Sequence, residues 1–358
     1  MYRSYDDVML EPQYSEVKSR KAISIAPPLK VSELENLKSI PMNTPIISSP
    51  MDTITGLKMA ITMYLEGGLG IIHRYNTIQQ QVSIVKSVQA ACQASWSGKM
   101  DVIAAAVGVT GSYLERAKAL KSAGVNIIVV DVAHGHHVLV KDALKSLRRE
   151  LGDDVHLMAG NVASVQGIID LHKWGADSIR VGVGSGSICS TRIQTGHGVP
   201  TLEVLLSAKE NLYCLQHKPI LIADGGIKNS GDIVKALAAG ASYVMLGSLL
   251  SGTDECPGQI ISVGNKKYKM YRGMASPEAQ KDWKGSYSSN EGITATVPYK
   301  GSVKDVLREL NRGIRSGFSY SGAVNLEELQ ELAIFKNVSP TSLLESSTHI
   351  LGAKGVIG

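Results

Sequence analysis

The feature that most limits what this chain can fold into is a spelling that returns. A helical stretch ends in Ala-Gly-Val (123–125), Gly-Ala-Asp (175–177) or Gly-Ala-Ser (240–242), and an apolar, β-branched run follows at once. Eight such runs are legible, at 45–52, 69–73, 101–107, 125–131, 155–161, 179–181, 219–226 and 242–248. Helical patterns lie between them at 57–66, 79–94, 113–123, 138–150, 164–174, 202–211 and 231–239. In the third of these Leu114, Ala117 and Leu120 share a face and Gly124 closes the helix. Alternating strands and helices at this spacing predict an α/β fold, a (β/α)₈ barrel. An open, doubly wound sheet is the second reading. Its glycine fingerprint after the first strand is missing.

Composition agrees. With two Phe and three Trp, the core must be built from Val, Ile, Leu, Ala and Met, as in parallel sheets covered by helices. Glycine, 36 of 358 residues, exceeds the usual share of about 7%, which many tight βα turns explain. A net charge of +5 is mild, and no Lys/Arg block has the length of a nucleic-acid arm. Anionic small molecules are the more economical partners. No run approaches the roughly 18 apolar residues of a membrane span, and the N-terminus lacks a signal-peptide core. Cys92, Cys189, Cys214 and Cys256 show no metal or redox spacing. The expectation is a soluble cytoplasmic protein in a reducing compartment, with no nucleic-acid or membrane partner.

One stretch stands apart. Residues 180–200 hold five glycines and a proline around Cys189, after the strand-like run Ser178-Ile-Arg-Val181. Such a segment cannot form a regular element. A cysteine in a polar, mobile loop just past a strand end is placed as catalytic groups are on rigid scaffolds. Inert cysteines more often sit among apolar neighbours. Cys189 therefore reads as a nucleophile, with an inert thiol or a metal ligand as the second reading; as a nucleophile it needs a depressed pKa or an acid/base partner.

Additions flank the barrel. Residues 1–44 read as an arm wrapping the body. Residues 252–301 break the rhythm: 255–274 alternate like a hairpin with Gly264-Asn265 at the turn. The polar stretch 276–298 then reads as a mobile loop, either a solvated linker or a flap over a site. Helices are expected at 302–316 and 325–334, and the tail from Ser347 is weakly specified. The whole chain, 1–358, reads as one catalytic domain.

In a parallel barrel the chemistry gathers at the C-terminal strand ends. Here those ends carry Ser49 and Met51, His73, Asp131, Asn161, the Cys189 loop, Asp224 with Gly225-Gly226, and Gly247-Ser248. Turns after strands seven and eight suit phosphate, and Ser187 could donate to the same anion; the glycines may equally be needed for tight turns alone. Asp131 and Asp224 could each hold a ribose diol, or simply cap helices. Carbonyls of the glycine loop could hold a monovalent cation. His134, His136 and His137 are bland candidates.

The stretches Gly182-Val-Gly-Ser-Gly-Ser-Ile-Cys-Ser-Thr-Arg192, Ala223-Asp-Gly-Gly-Ile227, Met245-Leu-Gly-Ser-Leu249 and Tyr271-Arg-Gly-Met-Ala-Ser276 resemble the IMP dehydrogenase / GMP reductase family. Ile46-Ile-Ser-Ser-Pro-Met-Asp-Thr53 and Asp131-Val-Ala-His-Gly135 extend the likeness over nearly the whole chain. The resemblance implies a (β/α)₈ barrel, usually tetrameric, acting on a purine mononucleotide with a nicotinamide cofactor. It implies that Cys189 attacks purine C2 to form a thioimidate, with Thr191 beside it for proton transfer. It puts Asp224 on the ribose and Ser187, Gly226, Gly247, Ser248 and Tyr271 on the phosphate. Ser49, Met51, Gly273, Met274 and Ala275 would line the nucleotide. Asp131, Ala133 and Asn161 would face the nicotinamide. Carbonyls of Gly184, Gly186 and Cys189 would bind K⁺.

The family's two activities diverge after hydride transfer at C2. The dehydrogenase hydrolyses its intermediate with an Arg-Tyr pair on a long flap, and typically carries CBS modules inserted after strand two. Here no Arg lies between Arg272 and Arg308, the flap is short, and residues 79–94 lead straight to Asp101. Glu291 matches the glutamate that relays protons with Thr191 in the reductase, and ammonia departure needs a general acid. The expected activity is GMP reductase with NADPH. The alternatives are an IMP dehydrogenase without CBS domains, using NAD, and a non-catalytic nucleotide-binding barrel. Several motifs are spelled closer to bacterial dehydrogenases, and Lys284 could stand in as a water-activating group only if desolvated.

Overall fold

A computed structural model describes residues 2–27, 29–30, 39–40, 42–94, 102–212, 218–287 and 290–346. Cys214, the tail from Ser347 and part of the expected arm lie outside the described residues. Eight parallel strands close into a barrel: β1 (Ile46–Ser48), β2 (Leu69–Ile72), β3 (Ala104–Val107), β4 (Ile127–Asp131), β5 (His156–Val162), β6 (Ser178–Val181), β7 (Ile220–Asp224) and β8 (Tyr243–Leu246). Each strand pairs with its sequence neighbours, and β8 pairs with β1 to close the ring. The (β/α)₈ expectation holds, and the open-sheet alternative is excluded.

Helices α1 (Leu57–Leu65), α2 (Ile78–Ala94), α3 (Tyr113–Ser122), α4 (Val138–Leu151), α5 (Val165–Lys173), the one-turn α6 (Thr191–Thr195), α7 (Thr201–Asn211) and α8 (Ser230–Ala238) alternate with the strands. The recurring glycines explain themselves. Gly124, Gly175 and Gly240 follow α3, α5 and α8 with φ of 99°, 108° and 111°, a conformation that side chains with a Cβ resist. Each turns the chain out of a helix and into the next strand.

Period-two alternation sorts every strand into an inner and an outer face. Ile47, Leu69, Ile71, Ala104, Ala106, Ile127, Val129, Met158, Ile222, Tyr243 and Met245 form the barrel interior. The intervening residues, such as Ile128, Val130 and Ile179, pack outward under the helices. Large Tyr243 is balanced by small Ala104 and Ala106, as close packing requires. The arm reaches the bottom of this interior, where Ala26 packs and Tyr243 Oη donates to the Pro27 carbonyl at 2.6 Å. Following the same alternation upward brings Asp131, Arg180 and Asp224 inward at the top of the barrel.

The arm also reaches the opposite end. Its segment Val8–Leu10 pairs antiparallel with Phe335–Asn337, and Tyr5 and Val8 are buried. After β8, strands β9 (Ile261–Val263) and β10 (Lys266–Arg272) form the expected hairpin across Gly264-Asn265. The next stretch departs from expectation. Residues 276–298 were expected to be an irregular loop, yet they contain helix α9 (Pro277–Lys284) and strand β11 (Thr294–Pro298). The local signals explain why: Ser276 Oγ caps the helix by accepting the Ala279 N–H, Pro277 stands in its first turn, and Gly285 at φ 74° ends it. β11 pairs antiparallel with β10, from Arg272 opposite Thr294 to Tyr268 opposite Pro298. Helices α10 (Val303–Tyr320) and α11 (Leu326–Leu332) then pack against α8. Among the described residues no helix is long and apolar enough to cross a membrane.

Candidate active site

The C-terminal mouth of the barrel opens into a cavity of about 570 Å³. Every residue that sequence reasoning assigned to catalysis, nucleotide, cofactor or cation lines it. His134, His136 and His137 do not. His136 pairs with Asp170 at 2.9 Å, and His137 Nδ1 accepts the Leu139 N–H to cap α4.

Arg180 organises the floor. Its Nη1 donates to Asp131 Oδ1 at 2.5 Å, and its Nε and Nη2 donate to Asp224 Oδ2 at 3.1 and 2.8 Å. Burial alone would lower the Arg180 pKa; the two carboxylates more than reverse this and hold the guanidinium above its ordinary value. A glycine makes the room: a Cβ on Gly160 would stand 2.6 Å from Arg180 Cβ. Asn161 Nδ2 donates to Asp224 Oδ2 at 2.7 Å and to the Gly182 carbonyl at 2.8 Å. Neither aspartate caps a helix; His137 and Asn229 occupy those positions. Asp224 Oδ1 carries no hydrogen bond among the described residues and faces a site where a diol could use it.

The Cys189 loop is tied down rather than loose. Ser185 Oγ donates to the Asp224 carbonyl at 3.0 Å, Cys189 N–H to the Gly186 carbonyl at 3.1 Å, and Arg192 to the carbonyls of Val183 and Val199. The segment before β11 is zipped onto the same loop. Ile293 N–H donates to the Ile188 carbonyl and Ser190 N–H to the Glu291 carbonyl, each at 3.0 Å. A Cβ on Gly273 would come within 3.2 Å of both the Ile188 carbonyl and Gly292 Cα, so three backbones meet there only because glycine allows it.

This zipper delivers Glu291 to the thiol. Thr191 Oγ1 donates to Glu291 Oε2 at 2.9 Å, and Cys189 Sγ lies 3.1 Å from Thr191 Oγ1. A hydroxyl has one proton to give. With that proton on the carboxylate, the thiol must be the donor to Thr191. The three side chains thus form a directed path for a proton from sulfur to carboxylate.

At the other end of the cavity, Gly225 and Gly226 stand at φ 88° and 83° and turn the chain from β7 toward α8. Tyr271 hydrogen-bonds Ser187, and burial pushes its phenol up to about 12. A Cβ on Gly247 would lie 2.7 Å from Tyr271 Oη and 3.4 Å from Met51 Sδ. Gly247→Ala is therefore expected to displace Tyr271 and cost about 1–3 kcal/mol locally. Steady-state kinetics should show the nucleotide KM rising roughly tenfold, the equivalent of about 1.4 kcal/mol. An unchanged KM would place the nucleotide elsewhere.

Several residues in and beside this site escaped sequence reasoning, Arg74 and Tyr75 of the cavity wall among them. Arg180 is a charge inside the apolar run Ser178–Val181, and strand periodicity alone gives it no partner. Arg272 joins Asp52 of the β1 loop to Asp282 of α9, while Trp283 meets Tyr75 edge-on at 6.1 Å. These contacts seat α9 on the barrel and depend on pairings that distance along the chain hides. Tyr5, from the arm, lines the cavity as well.

A (β/α)₈ barrel with a thiol, a hydroxyl and a carboxylate in line at its C-terminal mouth has the architecture of a barrel enzyme. The comparisons are specific. Residues 3–349 match the model for the IMP dehydrogenase / GMP reductase domain, and the chain belongs to that family of purine-nucleotide oxidoreductases. It is 33% identical to inosine-5′-monophosphate dehydrogenase of Nitrosopumilus maritimus (strain SCM1), over 97% of this chain and 98% of the relative. It is 30% identical to GMP reductase of Leishmania major, over 97% and 96%. Among solved structures, a cysteine-to-alanine variant of Trypanosoma brucei GMP reductase in complex with guanosine 5′-monophosphate superposes with a TM-score of 0.87 at 28% identity, covering 98% of each chain.

Proposed function

We propose that this chain is a GMP reductase, converting GMP to IMP and ammonia with NADPH. The observation that carries the reading is the Cys189–Thr191–Glu291 path, delivered by a short segment with no arginine in it. Among the described residues, neither Arg192 nor Lys284 is placed to activate water at the sulfur. Arg192 has its guanidinium on two backbone carbonyls, and Lys284 does not line the cavity.

The steps follow from the geometry. The Cys189 thiol adds to purine C2, forming the S–C2 bond, and its proton passes through Thr191 to Glu291. Glu291, now the acid, returns a proton through Thr191 to the 2-amino nitrogen. The C2–N bond breaks and ammonia leaves a thioimidate. When bound, the nicotinamide supplies a hydride to C2. The S–C2 bond then breaks, and the departing sulfur is reprotonated. In sum, GMP, NADPH and two protons give IMP, NADP⁺ and ammonium.

The ribose would lie on Asp224, and the phosphate between the Gly225-Gly226 and Gly247-Ser248 turns with Ser187 and Tyr271. Asp131, Ala133 and Asn161 share the cavity with the thiol, as a cofactor beside C2 requires. Arg74, stacked over Tyr75 at 4.9 Å, makes no hydrogen bond among the described residues and suits the phosphates of a dinucleotide. Residues of this kind fit the cofactor. The K⁺ assignment to the carbonyls of Gly184, Gly186 and Cys189 offers only oxygen donors, which suit the ion; the Gly186 carbonyl already accepts one hydrogen bond, leaving it a second lone pair. A cytoplasmic homotetramer completes the proposal, on the family resemblance.

The test is direct. Protein with GMP and NADPH should lose absorbance at the reduced-cofactor band, with IMP and ammonia formed in equal amounts. Turnover seen only with IMP and NAD⁺ would make the chain a dehydrogenase instead.

A further inference from the structure

We propose that Tyr5 is a positioning residue for the nucleotide's 5′-phosphate, and that the N-terminal arm forms the outer wall of the phosphate subsite. The inference rests on the phosphate assignment above. Ser4, Tyr5 and Asp6 line the cavity, although they lie more than 200 residues from the turns they face.

The Tyr5 ring is 4% exposed and packs on bare backbone. Its Cε2 and Cδ2 lie 3.5 and 3.6 Å from where a Cβ on Gly226 would stand. Gly226 and its neighbour Gly225 both sit at positive φ, in a turn that has no side chains of its own to brace it. Two consecutive glycines are the most freely moving backbone a protein can place under an anion. A turn of this kind presents its N–H groups to a phosphate only if something behind it holds still. Ser185 backs Gly225, and Tyr5 is the nearest side chain behind Gly226.

The arm is fastened for the purpose. Arg3 donates from its backbone N–H and its Nε to Glu203 of α7, at 3.1 and 3.0 Å. Lys235 of α8 donates to the Tyr5 carbonyl at 2.7 Å. Ser4 and Asp7 close a capping box around the turn Tyr5–Asp7. The Tyr5 hydroxyl, by contrast, is buried with no hydrogen-bond partner among the described residues. An unpaired buried hydroxyl costs stability rather than adding to it. The contact with Gly226 is made by the ring, and Tyr5→Phe keeps it.

Tyr5→Leu separates this role from ordinary packing. GMP and guanosine differ only in the phosphate, so the ratio of their affinities, measured calorimetrically, reads the subsite alone. IMP and inosine give the same ratio, so the readout does not depend on which reaction the enzyme runs. For Tyr5→Leu the ratio should fall roughly tenfold and the GMP KM rise by a similar factor, with kcat nearly unchanged. Tyr5→Phe, which keeps the ring, should restore the ratio and raise Tm. Should Tyr5→Leu fail to fold, Lys235→Met releases the Tyr5 carbonyl from α8 and should lower the ratio in the same direction, by about threefold. Equal losses for GMP and guanosine, an unchanged ratio, or failure of Tyr5→Phe to restore it would each overturn the proposal. A wild-type protein that binds nucleotide and nucleoside alike would overturn the phosphate assignment with it.

Discussion

Cys189→Ala is expected to lower turnover of GMP by on the order of 10⁵-fold or more while leaving nucleotide affinity within a few-fold of wild type. In the proposed reaction the thiol forms the bond to the purine, and among the described residues its nearest hydroxyl does not replace it. Thr191 lies 3.1 Å from the sulfur, but its single proton is engaged with Glu291. Nothing else in the site depends on the sulfur. The loop is held through Ser185, Arg192 and the backbone bonds to residues 290–293, so alanine leaves the architecture intact. Two measurements check this: absorbance at the reduced-cofactor band, and calorimetric titration with GMP. A second readout is covalent. Wild-type enzyme quenched during turnover should carry nucleotide mass on the peptide containing Cys189, and the variant should carry none. Substantial residual turnover in the variant would rule out a thioimidate.

How much of this was written in the sequence follows from the range of each signal. The barrel was legible because its determinants are local: helix-ending glycines at 124, 175 and 240, and apolar runs of strand length after them. The candidate thiol was legible because glycine around Cys189 marks a loop where a regular element should have continued. Glu291 could be named from its place beside Gly292, but its distance to Thr191 could not. That distance is set by bonds between residues about a hundred positions apart, Ser190 to Glu291 and Ile293 to Ile188. The Arg180 bridge was hidden for a related reason. Strand periodicity points Asp131, Arg180 and Asp224 inward, yet only closure of the ring brings β4, β6 and β7 within reach of one side chain. Residues 276–298 misled because polarity was read as irregularity. A short helix capped by Ser276 and ended by Gly285 can be polar on most of its surface when it rests on an already folded barrel through Arg272 and Trp283.

Glu291→Gln is expected to slow release of ammonia by about 10²- to 10⁴-fold and to affect hydride transfer much less. Glutamine preserves the shape of the site. Its amide oxygen can still accept the Thr191 hydroxyl, so the segment zipped to Ile188 and Ser190 should stay in place. What it cannot do is hold a proton taken from the thiol and return it to the amine. Addition of sulfur and loss of nitrogen both use that proton, whereas hydride delivery to C2 and departure of sulfur need no acid from Glu291. The two half-reactions can be separated in the reverse direction. With IMP and NADP⁺ the thiol adds to C2 with loss of its proton and hydride then leaves C2 to give the thioimidate; ammonia is needed only to complete the cycle to GMP. Rapid-mixing absorbance at a pH high enough for solvent to take the thiol's proton should show the variant producing a burst of NADPH close to wild type in amplitude, followed by very slow formation of GMP on adding ammonia. Loss of the burst in equal measure would mean that Glu291 serves the fold of the loop and not the proton path. The contrast with Thr191→Val sharpens the point. Valine removes the middle of the path while leaving the carboxylate, and should produce the same split if the proton travels through the hydroxyl.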